Sequence, residues 1–180
     1  MFWFWLFILY SFGGYLLEKA FAAVTAAPLQ VRKCFLLLPL CPVYGLGMLA
    51  VLMLPAGLRD FPWRLGIAGA LAVTAVEFVV HWLYEKLLGV RFWDYSPIKT
   101  GVAGRVCLPF TAIWGVLVVL TVRFVHPWAV ALAAAVPPWL SYATLLLLTV
   151  DAFFSARVLR RSGDVELMSF PHLLQALRVE

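Results

Sequence analysis

Three long stretches of this chain carry no charge. Phe35 to Leu58, Val106 to Val122 and Phe124 to Val150 contain no Asp, Glu, Lys or Arg, and His126 in the last is counted as neutral. Runs of this length match the roughly 20 apolar residues needed to cross a ~30 Å hydrocarbon layer. The whole chain is 64% hydrophobic and 13% charged, where a soluble domain has about 45–50% and about 25%. The fold class expected is all-α: an integral membrane helical bundle.

Five crossings fit the pattern: about Phe2 to Ala23, Phe35 to Ala56, Leu65 to Leu88, Leu108 to Phe124 and Pro127 to Ala156. Residues 1–158 form one transmembrane bundle, and 159–180 a short polar cytoplasmic tail. Met1 to Leu17 lacks the basic start and small-residue cleavage site of a secretory leader, so it reads as a retained first helix. Pro137-Pro138 removes two backbone donors inside the fifth segment and predicts a kink or break there. Pro127 to Val136 alone, about 15 Å of helix, is too short to be a sixth crossing, although a re-entrant half-helix stays open. Cys34, Cys41 and Cys107 form no CxxC pair, and an odd count without regular spacing predicts buried thiols rather than a disulfide framework or zinc site.

With five crossings the termini lie on opposite faces. Eleven of the fourteen basic residues then fall on one side: Lys19, Arg32, Lys33, Lys86, Arg91, Lys99, Arg105, Arg157, Arg160, Arg161 and Arg178. Positively charged loops stay inside, so the N-terminus is expected outside and the C-terminus in the cytoplasm. The net charge of +5 is thus a topology signal and does not point to nucleic acid. Trp3, Trp5, Trp63 and Trp128 fall where an outer interfacial belt would put them.

Charged groups within a bilayer cost at least ~2.5–3.5 kcal/mol at its centre and usually face the bundle interior. On the third crossing Glu77, His81 and Glu85 recur every four residues, a polar stripe roughly 12 Å long on one helix face. Tyr84 flanks it. Glu18 and Asp151 lie near the inner ends of the first and fifth crossings, level with the third's inner half. Three readings stay open: ion pairs with Lys19, Lys33 or Arg105, a path for a proton, ion or hydrophilic group, or a metal or acid–base site needing ligands from other helices.

The connection FWDYSPIKTGVAGR, residues 92–105, follows this stripe. Trp93 and Tyr95 suit the headgroup level. Asp94-Tyr95-Ser96-Pro97 predicts a turn in which Asp94 bonds a nearby backbone N–H. Gly101 and Gly104 permit backbone geometry that other residues resist, and Arg105 could reach Asp94, Glu85 or a phosphate. In the second segment, Pro39, Pro42, Gly45 and Gly47 around Cys41 and Tyr44 predict a broken helix, tolerated where it is buried or lines a cavity.

The runs YSFGGYLLE, CFLLLPLCPVYGLG, VEFVVHWLYEKLLGVRFWDYS and GRVCLPFTAIWGVL together resemble the ABC-transporter type IV membrane proteins of bacteria, small multi-spanning permease-like chains. The resemblance covers about Tyr10 to Leu117. It implies shared positions at Glu18, Lys33, Pro39, Cys41, Pro42, Tyr44 and Gly45, then Glu77 and Glu85. Trp93 to Ser96, Gly104, Arg105, Trp114 and Gly115 complete them. The pattern departs at Arg32-Lys33-Cys34, where the family has Asn-Arg-Gly, at Leu38 for a Gly, and at Gly101 for an Asn.

The function this implies is a transporter permease-like subunit of a bacterial cell membrane, with a polar pocket on the cytoplasmic side for a small substrate. Glu18, Lys33, Tyr44, Glu77, His81, Glu85, Trp93, Asp94, Tyr95, Arg105 and Asp151 are its candidate lining. The chain holds no GxxxxGK[ST] loop, so ATP-driven transport would require a separate ATPase subunit. Besides that subunit and membrane lipid no partner is implied, and no cofactor or metal. Two alternatives remain: a membrane-embedded enzyme acting on a lipid or isoprenoid phosphate, with an acid as base and Arg105 as anion clamp, and a scaffold or assembly factor for another membrane complex.

Overall fold

The structure is a computed structural model, and residues 1–25 and 34–168 of it are described below; Lys33, Arg32, His172 and Arg178 lie outside them. Helix α1 spans Phe2–Val24, α2 Pro42–Leu52, α3 Ala56–Arg59 and α4 Pro62–Leu88. After a connection come α5 (Leu108–Leu120), a π-helical turn (Thr121–Val125), α6 (His126–Ala135), α7 (Pro138–Ser162) and a short 3-10 turn (Val165–Met168). Proline occupies the first turn of α2, α4, α5 and α7, where its missing N–H leaves no intrahelical bond unmade. Gly89 (φ +70°) and Gly163 (φ +66°) end α4 and α7, each donating its N–H to the carbonyl four residues back.

Among the described residues, four helices are long and apolar enough to cross a membrane: Phe2–Val24, Pro62–Leu88, Leu108–Ala135 and Pro138–Ser162. The fourth expected crossing therefore does not stop at Phe124, and Pro127 to Val136 does not belong to the fifth. Pro127 is absorbed because the π turn just before it already shifts the hydrogen-bond ladder away from the regular i−4 pattern that a proline would break. The break falls instead at Val136, which is extended (φ −76°, ψ 126°), ahead of Pro137-Pro138.

The second segment is a helix over only its latter half. Residues 34–41 are non-helical, and the 11 residues of α2 rise about 16 Å. The irregular backbone is satisfied by protein: Cys41 N–H donates to Ser11 O at 2.9 Å, and the N–H groups of Leu37 and Leu38 donate to Asp151 at 3.1 and 3.0 Å. The expectation of three free thiols fails here, since Cys34 and Cys41 are joined as a disulfide while Cys107 is free and buried. Spacing could not show this, because the bend brings their Cα atoms to 4.9 Å.

Helices α4 and α5 run antiparallel in close contact. A Cβ on Gly115 would sit 3.0 Å from Gly66 O, so this approach depends on small residues, as helix pairs in lipid commonly do. At the α3 end, Leu6, Met48, Val51, Leu52, Leu65 and Val118 share a core with Ala129 and Ala133 of α6. At the other end, Val90 and Phe92 pack with Leu159 and Met168, so packing continues into the tail through Met168. Trp3, Trp63 and Trp128 are exposed, whereas Trp5 turns inward and donates to Ser141 Oγ at 2.7 Å.

Candidate functional site

The connection from Gly89 to Cys107 folds as a hairpin. Gly101–Val102 pairs antiparallel with Val106–Cys107, and Arg105 N–H donates to Val102 O at 3.0 Å. Between them, Ala103 (φ 54°) and Gly104 (φ 69°) both lie in the left-handed region. The pairing of Val102 with Val106 leaves three residues, 103–105, in the loop, and glycine at the second of them meets its positive φ without strain. Asp94 Oδ1 accepts the Ser96 N–H at 2.8 Å, and the Ser96 side chain and backbone hold its carboxyl below the usual aspartate range. Asp94 is exposed and makes no ion pair with Arg105.

Four contacts tie this hairpin to α4. His81, 2% exposed, donates from Nε2 to Trp93 O at 3.0 Å. Trp93 Nε1 donates to Arg105 O at 2.9 Å, closing the base of the hairpin over that histidine. Arg105 Nη2 pairs with Glu85 Oε2 at 2.6 Å and its guanidinium lies 5.3 Å from the Phe78 ring centroid. Arg91 pairs with the other Glu85 oxygen.

The fourth contact is the deepest. Glu77 is 4% exposed. Its Oε1 accepts the Tyr95 hydroxyl at 3.1 Å and its Oε2 accepts Trp114 Nε1 at 3.0 Å. A buried carboxylate thus hangs between a residue of the hairpin and a residue of α5, and among the described residues no cation is bonded to it. Trp114 meets the Tyr44 ring edge-on at 5.4 Å, and Tyr44 in turn donates to Glu18 Oε1 at 2.6 Å. Burial pushes the Tyr95 hydroxyl well above its ordinary range, with the Glu77 and Glu18 carboxylates adding to the effect. Tyr95 therefore stays a neutral donor.

The expected lining is partly gathered. Glu18, Tyr44, Glu77 and Tyr95 form one hub through Trp114, which the candidate set had not included. His81, Glu85, Trp93 and Arg105 form an adjacent group along the same helix face. Asp151 stands apart, pinned to Leu37, Leu38 and Ser155, and Asp94 lies at the surface. The spacing Glu77, His81, Glu85 does not make a metal triad, because each side chain is turned to a different neighbour. Among the described residues no three His, Cys, Asp or Glu side chains gather as a metal site would require. The sequence sign of Trp114 was its place, with Gly115, among the positions that the family resemblance implies are shared.

A family model described as "Putative ABC-transporter type IV" matches residues 5–156, and the chain belongs to that family. No curated protein and no solved structure matches it.

Proposed function

We propose that this member of the ABC-transporter type IV family is the permease-like membrane subunit of a transport system in a bacterial cell membrane, with ATP hydrolysis on a separate chain. The N-terminus lies outside and the hairpin faces the cytoplasm, on the side holding most of the basic residues. The polar hub of Glu18, Tyr44, Glu77, Tyr95 and Trp114 is the element that responds to substrate. One observation carries this reading: the Tyr95 hydroxyl on the hairpin is hydrogen-bonded to a carboxylate buried inside the bundle. A partner that moves the hairpin moves a donor on Glu77, which gives ATP hydrolysis outside the membrane a direct grip on the hub.

The alternative of an enzyme acting on headgroups has no comparable support, since the guanidinium of Arg105 that would clamp a phosphate is already bonded to Glu85. The test is co-purification with candidate ATPase subunits, followed by flux in reconstituted vesicles. The expected result is a stable pair whose ATP-dependent flux is lost in Tyr95→Phe while the pair stays assembled. A chain that binds no ATPase and passes no solute removes the reading.

A further inference from the structure

Apart from the hub's polar side chains, the bundle holds a cavity of about 280 Å³ with an entirely different chemistry. Its walls come from four directions: Phe7 of α1, Pro42 and Leu46 of α2, Val80, Leu83 and Tyr84 of α4, and Leu148 and Ala152 of α7. The bent segment ahead of α2 closes it with Phe35 and Leu36. No charged side chain lines it. Leu46 and Leu83 are also exposed on the outer face of the bundle, so the cavity is continuous with the surface that the apolar helices turn to lipid.

We propose that this cavity binds an acyl chain of a bilayer phospholipid. Water is a poor occupant, because a buried water needs about 2–4 polar partners and the walls offer almost none. A hydrocarbon chain is matched in chemistry, as apolar cavities of about 150 Å³ already stay dry and take up small hydrocarbons. The wall is also held in place by a dedicated device. Asp151, next to Ala152, accepts the N–H groups of Leu37 and Leu38. It thereby fixes the irregular segment that carries Phe35 and Leu36, whose backbone would otherwise compete for other partners. Asp151 is on this account a positioning residue for a lipid site, which explains why it stands apart from the polar hub.

The test uses the full chain reconstituted in phosphatidylglycerol–phosphatidylethanolamine vesicles doped with a phospholipid carrying a diazirine within one acyl chain. After photolysis, adducts are mapped by mass spectrometry. Adducts should concentrate on Leu83 and Leu148 over Leu71 and Val116, which are exposed elsewhere on the bundle. Ala152→Phe should fill the cavity and remove the Leu83 and Leu148 adducts while leaving those on Leu71 and Val116; if that variant does not elute as folded protein, Ala152→Leu serves. Equal labelling at all four positions would mean ordinary lipid contact, and no labelling at Leu83 and Leu148 would mean an empty packing void. Either result overturns the proposal, as would adducts that Ala152→Phe leaves unchanged.

Discussion

Removing one oxygen atom should decide whether the hairpin is coupled to the buried carboxylate. Tyr95→Phe deletes the hydroxyl that donates to Glu77 Oε1 at 3.1 Å and leaves the ring stacked on Phe110 at 5.0 Å between centroids. Packing is therefore kept and a single hydrogen bond is lost. Leaving a buried acceptor short of a hydrogen bond costs about 1–3 kcal/mol, and the loss leaves an oxygen of a nearly inaccessible side chain half-satisfied. The unfolding equilibrium should shift by one to two powers of ten. The assay is reversible unfolding in mixed micelles with rising dodecyl sulfate, followed by far-UV circular dichroism, for wild type, Tyr95→Phe, Glu77→Leu and the double variant. In the Glu77→Leu background the Tyr95 hydroxyl has lost its acceptor, so deleting it should cost nothing or give a small gain. The coupling energy should therefore be close to the full single-site loss. If Tyr95→Phe costs the same in both backgrounds, the two groups are not linked, and the idea that hairpin motion reaches Glu77 falls with that result.

Two further outcomes follow from the packing and the turn. Gly115→Ala places a methyl 3.0 Å from the Gly66 carbonyl oxygen, which backbone cannot yield, and should cost about 1–3 kcal/mol in the same unfolding assay; Gly13→Ala, with open space around its new methyl, should instead gain about 0.5–1 kcal/mol from the helix. The carboxyl of Asp94 is held below its ordinary range by Ser96, so its contribution to the hairpin is complete above the unfolded value of about 3.9 and disappears as pH falls through the lower folded value. Trp93 fluorescence, read in a chain whose other tryptophans are replaced, should change over that acid window, and the change should be absent in Asp94→Ala.

Hydropathy alone marked the chain as helical and membrane-spanning, because a lipid environment demands long apolar runs and little else produces them. Of the five segments it expected, four contain a helix of spanning length. It misplaced the last boundary because Pro127 and Pro137 look alike in a sequence. Only the backbone separates them: Pro127 sits at the start of a helix where a π turn has already rearranged the bonds, while Pro137-Pro138 follows an extended residue. The second segment was read correctly as broken but not as half unwound. Its unwinding depends on Asp151, more than a hundred residues away, supplying acceptors for two N–H groups. The same bend brings Cys34 to Cys41, a pairing that no count of cysteines reveals.

The hub shows where periodicity stops being informative. Spacing put Glu77, His81 and Glu85 on one face of α4, and that face does turn to the hairpin and α5. What spacing could not give was the register between α4 and α5, and so the identity of the donor to Glu77. Thr74 donates to Thr111 at 3.0 Å, which sets Glu77 level with Leu108 in an antiparallel pair and leaves Trp114 six residues, or about 9 Å, along the axis. Helical side chains lean toward the N-terminus of their own helix. In an antiparallel pair the Glu77 side chain therefore leans toward the α3 end and the Trp114 indole toward the hairpin end, each toward the other. The gap closes only because one partner is long. A shorter donor such as Gln at position 114 would leave Glu77 Oε2 unbonded even with every helix in place, so this tryptophan is better understood as a reach of a particular length than as an aromatic filler of the core.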